Sequence, residues 1–288
     1  MKRFVDLHLH TNYSDGIHPP ARIVELAAQK GLAAIAISDH DSVSGIDEAL
    51  AAGADLGVEV IPAVELSVEY GKHHDIHLLG YFIDHRDPNF NRTLADYRTR
   101  RDARGKAIVD RINEKLKVHH LPAISYEEVA ALAKEALGRP HIARILVEKG
   151  AARDMEDAFR RYLGPCNVPK KYFPVQEAIE TVHSLGGVAV LAHPHSISSD
   201  RAILKTVVSE LARLGLDGLE VFNNMCFDDD MIFLENLART HGLTITGGSD
   251  YHGVEDDVQI GTGRGGLAVS YLWVEHLREI SARRKAAS

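Results

Sequence analysis

An α/β barrel of parallel strands interrupted by a helical cap is the architecture this 288-residue sequence predicts, and three observations predict it. Short β-branched runs alternate with helical patterns over the first 80 residues and again from about residue 175. The strand signal disappears between them, and histidines and carboxylates recur where the apolar runs end. Regular β-then-α order implies a parallel sheet covered by helices and closed, or nearly closed, into a barrel. Hydrophobic residues at 45% and charged residues at 26% supply an ordinary globular core and exclude a disordered chain.

Residues 4–9 read as the first strand. Pro19-Pro20 opens a helix whose apolar positions Ile23, Val24, Leu26 and Ala27 run to Gly31, a residue suited to the position just past a helix end. Strand 32–37, helix 44–56, strand 58–64 and strand 76–82 follow. In the helical stretch, Ser125-Tyr126-Glu127-Glu128 forms a capping-box pattern ahead of the run 129–137. The alternation then resumes as helix 175–185, strand 188–192, helix 201–214, strand 218–222, helix 229–241 and strand 243–246. The barrel is accordingly assigned to residues 1–89 and 172–288, and the inserted cap to 90–171.

The formal charge of −8 conceals an asymmetry. Residues 98–171 carry 17 Lys and Arg against 10 Asp and Glu, a surplus of +7, which leaves −15 on the rest. The net charge of −8 argues against general affinity for long nucleic acids, which bind through clustered positive charge, while the basic cap on an acidic barrel argues for a local anion site, although many charge runs are only solvated helix faces. No apolar signal core or membrane-length apolar run is evident, so the chain reads as cytoplasmic, without a membrane partner. Cys166 and Cys226 lack metal or redox spacing and read as reduced thiols. The sequence does not fix an oligomeric state.

Seventeen histidines are the unusual entry in the composition. Asp6-Leu7-His8-Leu9-His10 alternates, so on a strand both imidazoles leave one face, a preset pair of metal ligands. Ile35-Ala36-Ile37 runs into Ser38-Asp39-His40-Asp41, and Ala63-Val64 into Glu65. His77 lies in an apolar strand, while strand 188–192 runs into His193-Pro194-His195 and strand 243–246 into Gly248-Ser249-Asp250-Tyr251-His252. Carboxyl ends of parallel barrel strands converge on one site, so these groups are expected to meet. Imidazoles and carboxylates without a thiolate favour Mn²⁺, Fe²⁺ or Zn²⁺, with manganese the first choice. Clustered dications lower the pKa of a shared water and clamp the attacking and leaving oxygens at phosphorus, which is hydrolysis of a phosphate ester.

These motifs, with Thr11, Ser14-Asp15-Gly16 and Ala192-His193-Pro194, resemble the full motif set of the PHP (polymerase and histidinol phosphatase) family over nearly the whole chain. The resemblance implies a distorted (β/α)7 barrel holding three divalent ions. Carried over by position, it implies one ion on His8, His10, Glu65 and Asp250, a second on Glu65, His77 and His193, and a third on Asp15, His40 and His252. Glu65 and Asp250 would then be catalytic through the ions. Asp6, Asp39 and Asp41 neighbour these positions and read either as carboxylates orienting the ligands or as caps.

Gly138-Arg139-Pro140-His141 and the arginine-rich 100–104 segment resemble the small stand-alone phosphoesterases of that family, which act on 3′,5′-bisphosphonucleotides, nucleoside monophosphates or very short RNA. On that resemblance Arg101, Arg104, Arg139, Lys170 and Lys171 bind substrate phosphate, with His141 beside Arg139. Arg139-Pro140 also reads as a plain helix start. Relatives with nucleotide activity often follow the Ala-His-Pro motif with a small residue and Arg-Tyr, whereas this chain has His195-Ser196-Ile197, which makes His195 a candidate acid for the leaving oxygen. The leading expectation is removal of the 3′-phosphate from a small nucleotide such as 3′,5′-bisphosphoadenosine, and the alternative is a 5′→3′ exoribonuclease on short RNA. Histidinol phosphatase fits less well, because its cationic substrate mismatches a basic cap. A non-catalytic metal-binding module fits less well because no ligand is missing.

Overall fold

The computed structural model describes residues 3–132 and 134–287. The chain begins with β1 (Phe4–Leu9), α1 (Pro20–Gln29), β2 (Ala34–Ile37), α2 (Ile46–Leu56), β3 (Glu59–Tyr70) and β4 (His73–Tyr81). The helical stretch holds α3 (Pro88–Val118), α4 (Tyr126–Ala130), α5 (Arg139–Glu148), α6 (Met155–Ala158) and a π-helical turn (Phe159–Leu163). The chain returns through β5 (Phe173–Pro174), α7 (Val175–Ser184), β6 (Val188–Leu191), a 3₁₀ turn (Pro194–Ser196), α8 (Arg201–Arg213), β7 (Gly218–Phe222), α9 (Asp228–His241), β8 (Thr244–Gly247), β9 (Val269–Ser270) and α10 (Leu272–Ala287).

Hydrogen bonding orders the strands β8-β7-β6-β4-β3-β2-β1-β9, with β5 beside β3. The seam between the β8 and β1 ends is crossed by a parallel bridge of Leu9 with Tyr251, where the His10 N–H donates to the Tyr251 carbonyl at 3.0 Å. The result is the nearly closed, distorted α/β barrel.

Two strands depart from the all-parallel expectation: the short β9 runs antiparallel to β1, and β4 is the one that bears on the site. β4 runs antiparallel to both β3 and β6. Only Gly71 and Lys72 join β3 to β4, too short a link for the crossover a parallel pair needs, and Gly71 takes φ +58° to turn the chain. The hairpin pairs Ser67 with His77, which brings an imidazole back beside Glu65.

Helix ends follow their sequence signals. Gly31 stands just past α1 at φ +69°, and the Asp87 carboxylate accepts the Asn89 and Phe90 N–H groups at 2.9 and 2.7 Å to start α3. The capping box is present, with Ser125 Oγ accepting from Glu128 N–H at 3.1 Å, but α4 stops after five residues. The expected helix over 129–137 does not form. Lys134 and Ala136 instead donate backbone N–H groups to the Asn12 and Tyr13 carbonyls, tying this segment to the loop after β1.

Three hydrophobic clusters stabilise the barrel. Val5, Leu7, Ala36, Ala63, Leu79 and Val190 form one with Val274 and Leu277 of α10. Leu9, Ile35, Ile37 and Val60 pack on Ile23, Val24 and Ala49 of α1 and α2, while Val64, Leu78 and Leu219 pack on α7 to α9. Each fully buried aliphatic side chain contributes about 1.5–3 kcal/mol. The helices between β4 and β5 have their own cluster, in which Ile108, Val109, Ile112 and Leu116 of α3 meet Ile142, Leu146, Tyr162 and Leu163. Among the described residues no helix is long and apolar enough to cross a membrane.

Candidate active site

The alternation of β1 sends Asp6, His8 and His10 to the face opposite Val5, Leu7 and Leu9, and all six side chains are buried. Asp6 serves the backbone rather than a ligand. Its carboxyl group accepts the N–H groups of His8, Ser249 and Gly261 at 3.3, 2.9 and 2.7 Å, so one side chain fixes β1 and both ends of the loop that carries Asp250 and His252. That loop comes so close that a Cβ at Gly248 would stand 2.4 Å from His8 Cβ, and only glycine fits. Asp39 acts similarly on the loop after β1, accepting from Thr11 N–H, Thr11 Oγ1 and Ser14 Oγ at 2.6–2.7 Å.

Glu65, in mid-β3, lies at the centre of the cluster. Its Oε2 is 3.4, 3.3 and 3.0 Å from His8 Nε2, His10 Nε2 and His40 Nδ1, and its Oε1 is 3.0 Å from both His77 Nδ1 and His193 Nε2. Asp250 Oδ1 approaches His8 and His10 Nε2 at 3.4 and 3.1 Å. Asp15 closes the far side, 3.2 Å from His252 Nε2 and 3.8 Å from both His10 Nδ1 and His40 Nε2. The structure therefore brings together all nine residues singled out as ligands.

Three groups have ligand atoms within 4.8 Å of one another: His10, Asp15, His40 and His252; His8, His10 and Glu65; and His40, Glu65 and His77. These differ from the position-by-position expectation in giving His10 and His40 to two groups each. His8 Nε2, His10 Nε2, His40 Nδ1, Asp15 Oδ1 and Glu65 Oε2 are buried without a hydrogen-bond partner. Orphaned buried nitrogens and oxygens are costly unless something pairs them, and a hard or borderline divalent cation fits this donor set.

The electrostatics are those of carboxylates kept ionised. Burial would raise the pKa of Glu65, but His40, His77 and His8 hold it well below the ordinary range. Asp15 and Asp250 are likewise raised by burial and carried well below it by their histidines. Burial pushes His77 down to about 4, against the pull of Glu65. It also opposes protonation of His252, yet Asp15 and Asp250 raise that imidazole to about 10.

Backbone strain concentrates here. Asp41, His193 and Asp250 adopt φ of +48°, +22° and +50°, each costing on the order of 1–3 kcal/mol. Glu220 offsets one of these. This fully buried β7 residue escaped the sequence reading, although a lone carboxylate inside the apolar strand Gly218–Phe222 was the available signal. Its Oε2 accepts the strained His193 N–H at 2.6 Å, and its Oε1 lies 2.9 Å from His8 Nδ1.

Over the cluster opens a cleft of about 150 Å³, lined by Asp15, His40 and His77 from below and by Arg101, Arg104, Arg139 and Lys170. Arg101 is buried against Asp41, donating Nε–H and Nη2–H to Oδ2 at 2.9 and 2.6 Å, so Asp41 anchors the arginine rather than orienting a ligand. Arg104 holds the Val168 carbonyl and Asn167 Oδ1 at 2.7 and 2.8 Å. Gly138-Arg139-Pro140 is the start of α5. His141 serves that start, because its Nδ1 accepts the Gly138 N–H at 3.0 Å and its buried Nε2 has no hydrogen-bond partner. Lys171 lines an adjoining cavity. His195 turns away from the cluster, lying between Cys226 Sγ, 3.4 Å from Nδ1, and Asp230, 3.4 Å from Nε2.

Comparison with known proteins agrees with this geometry. The PHP domain family matches residues 6–176. The chain is 36% identical over 253 residues to the 5′-3′ exoribonuclease Rnm of Salmonella typhimurium, covering 86% of this chain and 84% of that protein. It is 31% identical over 263 residues to the 3′,5′-nucleoside bisphosphate phosphatase of Chromobacterium violaceum, covering 86% and 87%. Among solved structures it superposes on a metal-dependent phosphoesterase from Bifidobacterium adolescentis with a TM-score of 0.83 and 29% identity, covering 96% of both chains. A Chromobacterium violaceum protein described as an amidohydrolase gives a TM-score of 0.80 at 30% identity over 89% of both chains. The chain belongs to the PHP domain family and is an enzyme of the metal-dependent phosphoesterase kind.

Proposed function

We propose that the protein removes the 3′-phosphate from small nucleotides such as 3′,5′-bisphosphoadenosine. The observation that carries this is the cleft: three residues of the carboxylate–histidine cluster form one side and four cations the other. Three divalent ions, manganese by preference, would be held by His8, His10, Asp15, His40, Glu65, His77, His193, Asp250 and His252, with Glu65 shared between groups. When bound, such ions supply an acidified water and neutralise charge on phosphoryl oxygens.

The chain's own residues then account for the rest. Arg139 and Lys170, with Arg101 and Arg104 behind them, draw the phosphate dianion into the cleft, and the planar guanidinium matches paired phosphoryl oxygens. His141 positions Arg139 by fixing the first turn of α5. In the reaction a water oxygen bonds to phosphorus, the ester P–O bond breaks, and a proton ends on the nucleoside hydroxyl. His195 is left out of this scheme, being engaged with Cys226 and Asp230.

The test is phosphate release from adenosine 3′,5′-bisphosphate with manganese added, lost on chelation and in Asp250→Asn. Full activity in the presence of chelator would overturn the reading. A second reading, a 5′→3′ exoribonuclease on short RNA, is favoured by the resemblance to the Salmonella typhimurium enzyme. Nucleoside monophosphates released stepwise from a pentaribonucleotide, with the bisphosphate untouched, would select it.

A further inference from the structure

A strap of the helical insert lies across the two loops that carry Asp15 and His40. Lys134 and Ala136 donate backbone N–H groups to the Asn12 and Tyr13 carbonyls at 2.9 and 3.0 Å, and the Lys134 ammonium stands 4.4 Å from the centroid of the Tyr13 ring. Glu135, between them, accepts the Ser42 and Ser44 hydroxyls at 2.6 and 2.8 Å. The strap then enters α5, whose first turn carries His141 with none of its surface exposed.

The hydrogen bond at that turn fixes where the ring carries its proton. The Gly138 N–H donates to His141 Nδ1 at 3.0 Å, so Nδ1 is an acceptor, the ring is neutral and the proton is on Nε2. Burial, the largest influence on this imidazole, favours the same neutral form. The Nε2–H is then a donor that is buried and without a hydrogen-bond partner. Buried donors left unmet are rare and costly, so this one calls for an acceptor.

Asp15 is the acceptor that matches it. Of the charges around His141, Asp15 acts on the ring most strongly, and its Oδ1 is likewise buried without a hydrogen-bond partner. Asp15 Oδ2 comes within 3.9 Å of the position that a Cβ on Gly138 would take, so this carboxylate borders the same turn of α5. Other members of the cluster are braced from behind: His8 by Glu220, His193 by Ser196 Oγ at 3.0 Å, and the loop of Asp250 by Asp6. A single water joining a donor on one side to an acceptor on the other is the usual way two such buried groups are satisfied.

We infer that His141 is a positioning residue for Asp15: its Nε2–H, through one bridging water, restrains the carboxylate that the ion on Asp15, His40 and His252 would use. This rests on the three-ion reading given above. It makes the insert a part of the metal centre as well as of the cleft, because the two nitrogens of one imidazole divide the work. Nδ1 holds the start of α5 and with it Arg139, while Nε2 holds Asp15.

Two substitutions separate the nitrogens. In His141→Asn the amide oxygen takes the place of Nδ1 and accepts the Gly138 N–H, but nothing reaches the position of Nε2. In His141→Gln the amide nitrogen takes the place of Nε2, and the start of α5 loses its acceptor. Manganese binding is measured by calorimetry and by the resonance of free Mn²⁺, and folding by urea unfolding. His141→Asn is expected to bind its weakest ion about 10–100-fold less tightly than the wild type while unfolding at nearly the same urea concentration. His141→Gln should keep the affinity to within about threefold and unfold at lower urea. Wild-type affinity in His141→Asn, or equal weakening in both variants, would overturn the inference. If the wild type binds no manganese, the three-ion reading fails by itself, and ring-nitrogen NMR of the metal-free protein still decides about His141. A His141 ring protonated on Nε2, with a signal that shifts in Asp15→Asn, supports the inference; a proton on Nδ1, or a signal indifferent to Asp15→Asn, overturns it.

Discussion

Glu220 Oε1 lies 2.9 Å from His8 Nδ1, and both side chains are fully buried. With His8 neutral, as a metal ligand must be, the contact keeps the ring proton on Nδ1 and leaves Nε2 aimed at Glu65 and Asp250. A carboxylate behind a ligating imidazole fixes its tautomer and raises its basicity, and losing one commonly costs about 10–100-fold in metal affinity or activity. Glu220→Gln is therefore expected to weaken metal binding and phosphate release by about that factor, with the fold intact by circular dichroism. Wild-type affinity in this variant would mean that Glu220 serves only the His193 backbone.

The protonation pattern predicts how metal loading depends on pH. His252 is held up to about 10 by Asp15 and Asp250, and His8 is raised well above its ordinary value by Glu220, Glu65 and Asp250, each against the opposing effect of burial. Imidazole ligates only when neutral, so at pH 7 a cation must displace these protons. Apparent affinity should rise between pH 6 and 9, by about tenfold per unit for each proton displaced. Calorimetry of manganese binding in buffers of different ionisation heat measures this directly; no proton release at pH 7 would contradict it.

Most of the nine candidate ligands are legible in the sequence because apolar runs lead into them or alternate with them, and topology makes their convergence a consequence of order; Asp15 comes only with the family motif, and Glu65 and His77 lie within β3 and β4 rather than at strand ends. Glu220 was harder to see, since a single carboxylate in a short strand has no periodic signature and its partners lie 212 and 27 residues away. The direction of β4 was also hidden. Its apolar pattern is the same in either direction, and the two-residue link that decides the matter resembles many loops. The segment 129–137 has helical composition, yet backbone pairing with residues 12 and 13 overrides it. Arg101, Arg104 and Arg139 line the cleft, but sequence does not show that Asp41 already engages Arg101.

That engagement yields a prediction about stability. Arg101 and Asp41 form an ion pair with side chains only 10% and 5% exposed. Burial would raise the pKa of Asp41, but Arg101 and then Lys170 lower it, so the carboxylate is charged. Removing one member of such a pair strands the other and typically costs about 3–5 kcal/mol. Arg101→Ala should lose about that much stability in urea unfolding, along with affinity for substrate. Arg101→Lys should recover part of the stability but little of the affinity, since an ammonium lacks the planar fork. An Arg101→Ala protein as stable as the wild type would show that Arg101 acts on substrate alone.

The C-terminal helix gives a last, independent prediction. Asp217, between α8 and β7, accepts from the Ala189 N–H at 2.8 Å, His183 Nε2 at 2.9 Å and Arg284 of α10 at 2.8 and 3.2 Å. Burial works against its charge, but His183, Arg284 and the Ala189 N–H lower its pKa below the ordinary Asp value. A carboxyl whose folded pKa is depressed stabilises the fold above its unfolded value of about 3.9 and loses that contribution as pH falls through the lower folded value. Asp217→Asn should therefore cost about 1–3 kcal/mol at pH 7. The gap between variant and wild type should narrow as pH falls below about 4. Chemical unfolding at a series of pH values tests this, and a gap that stayed constant down to pH 3 would show that packing, not charge, docks α10.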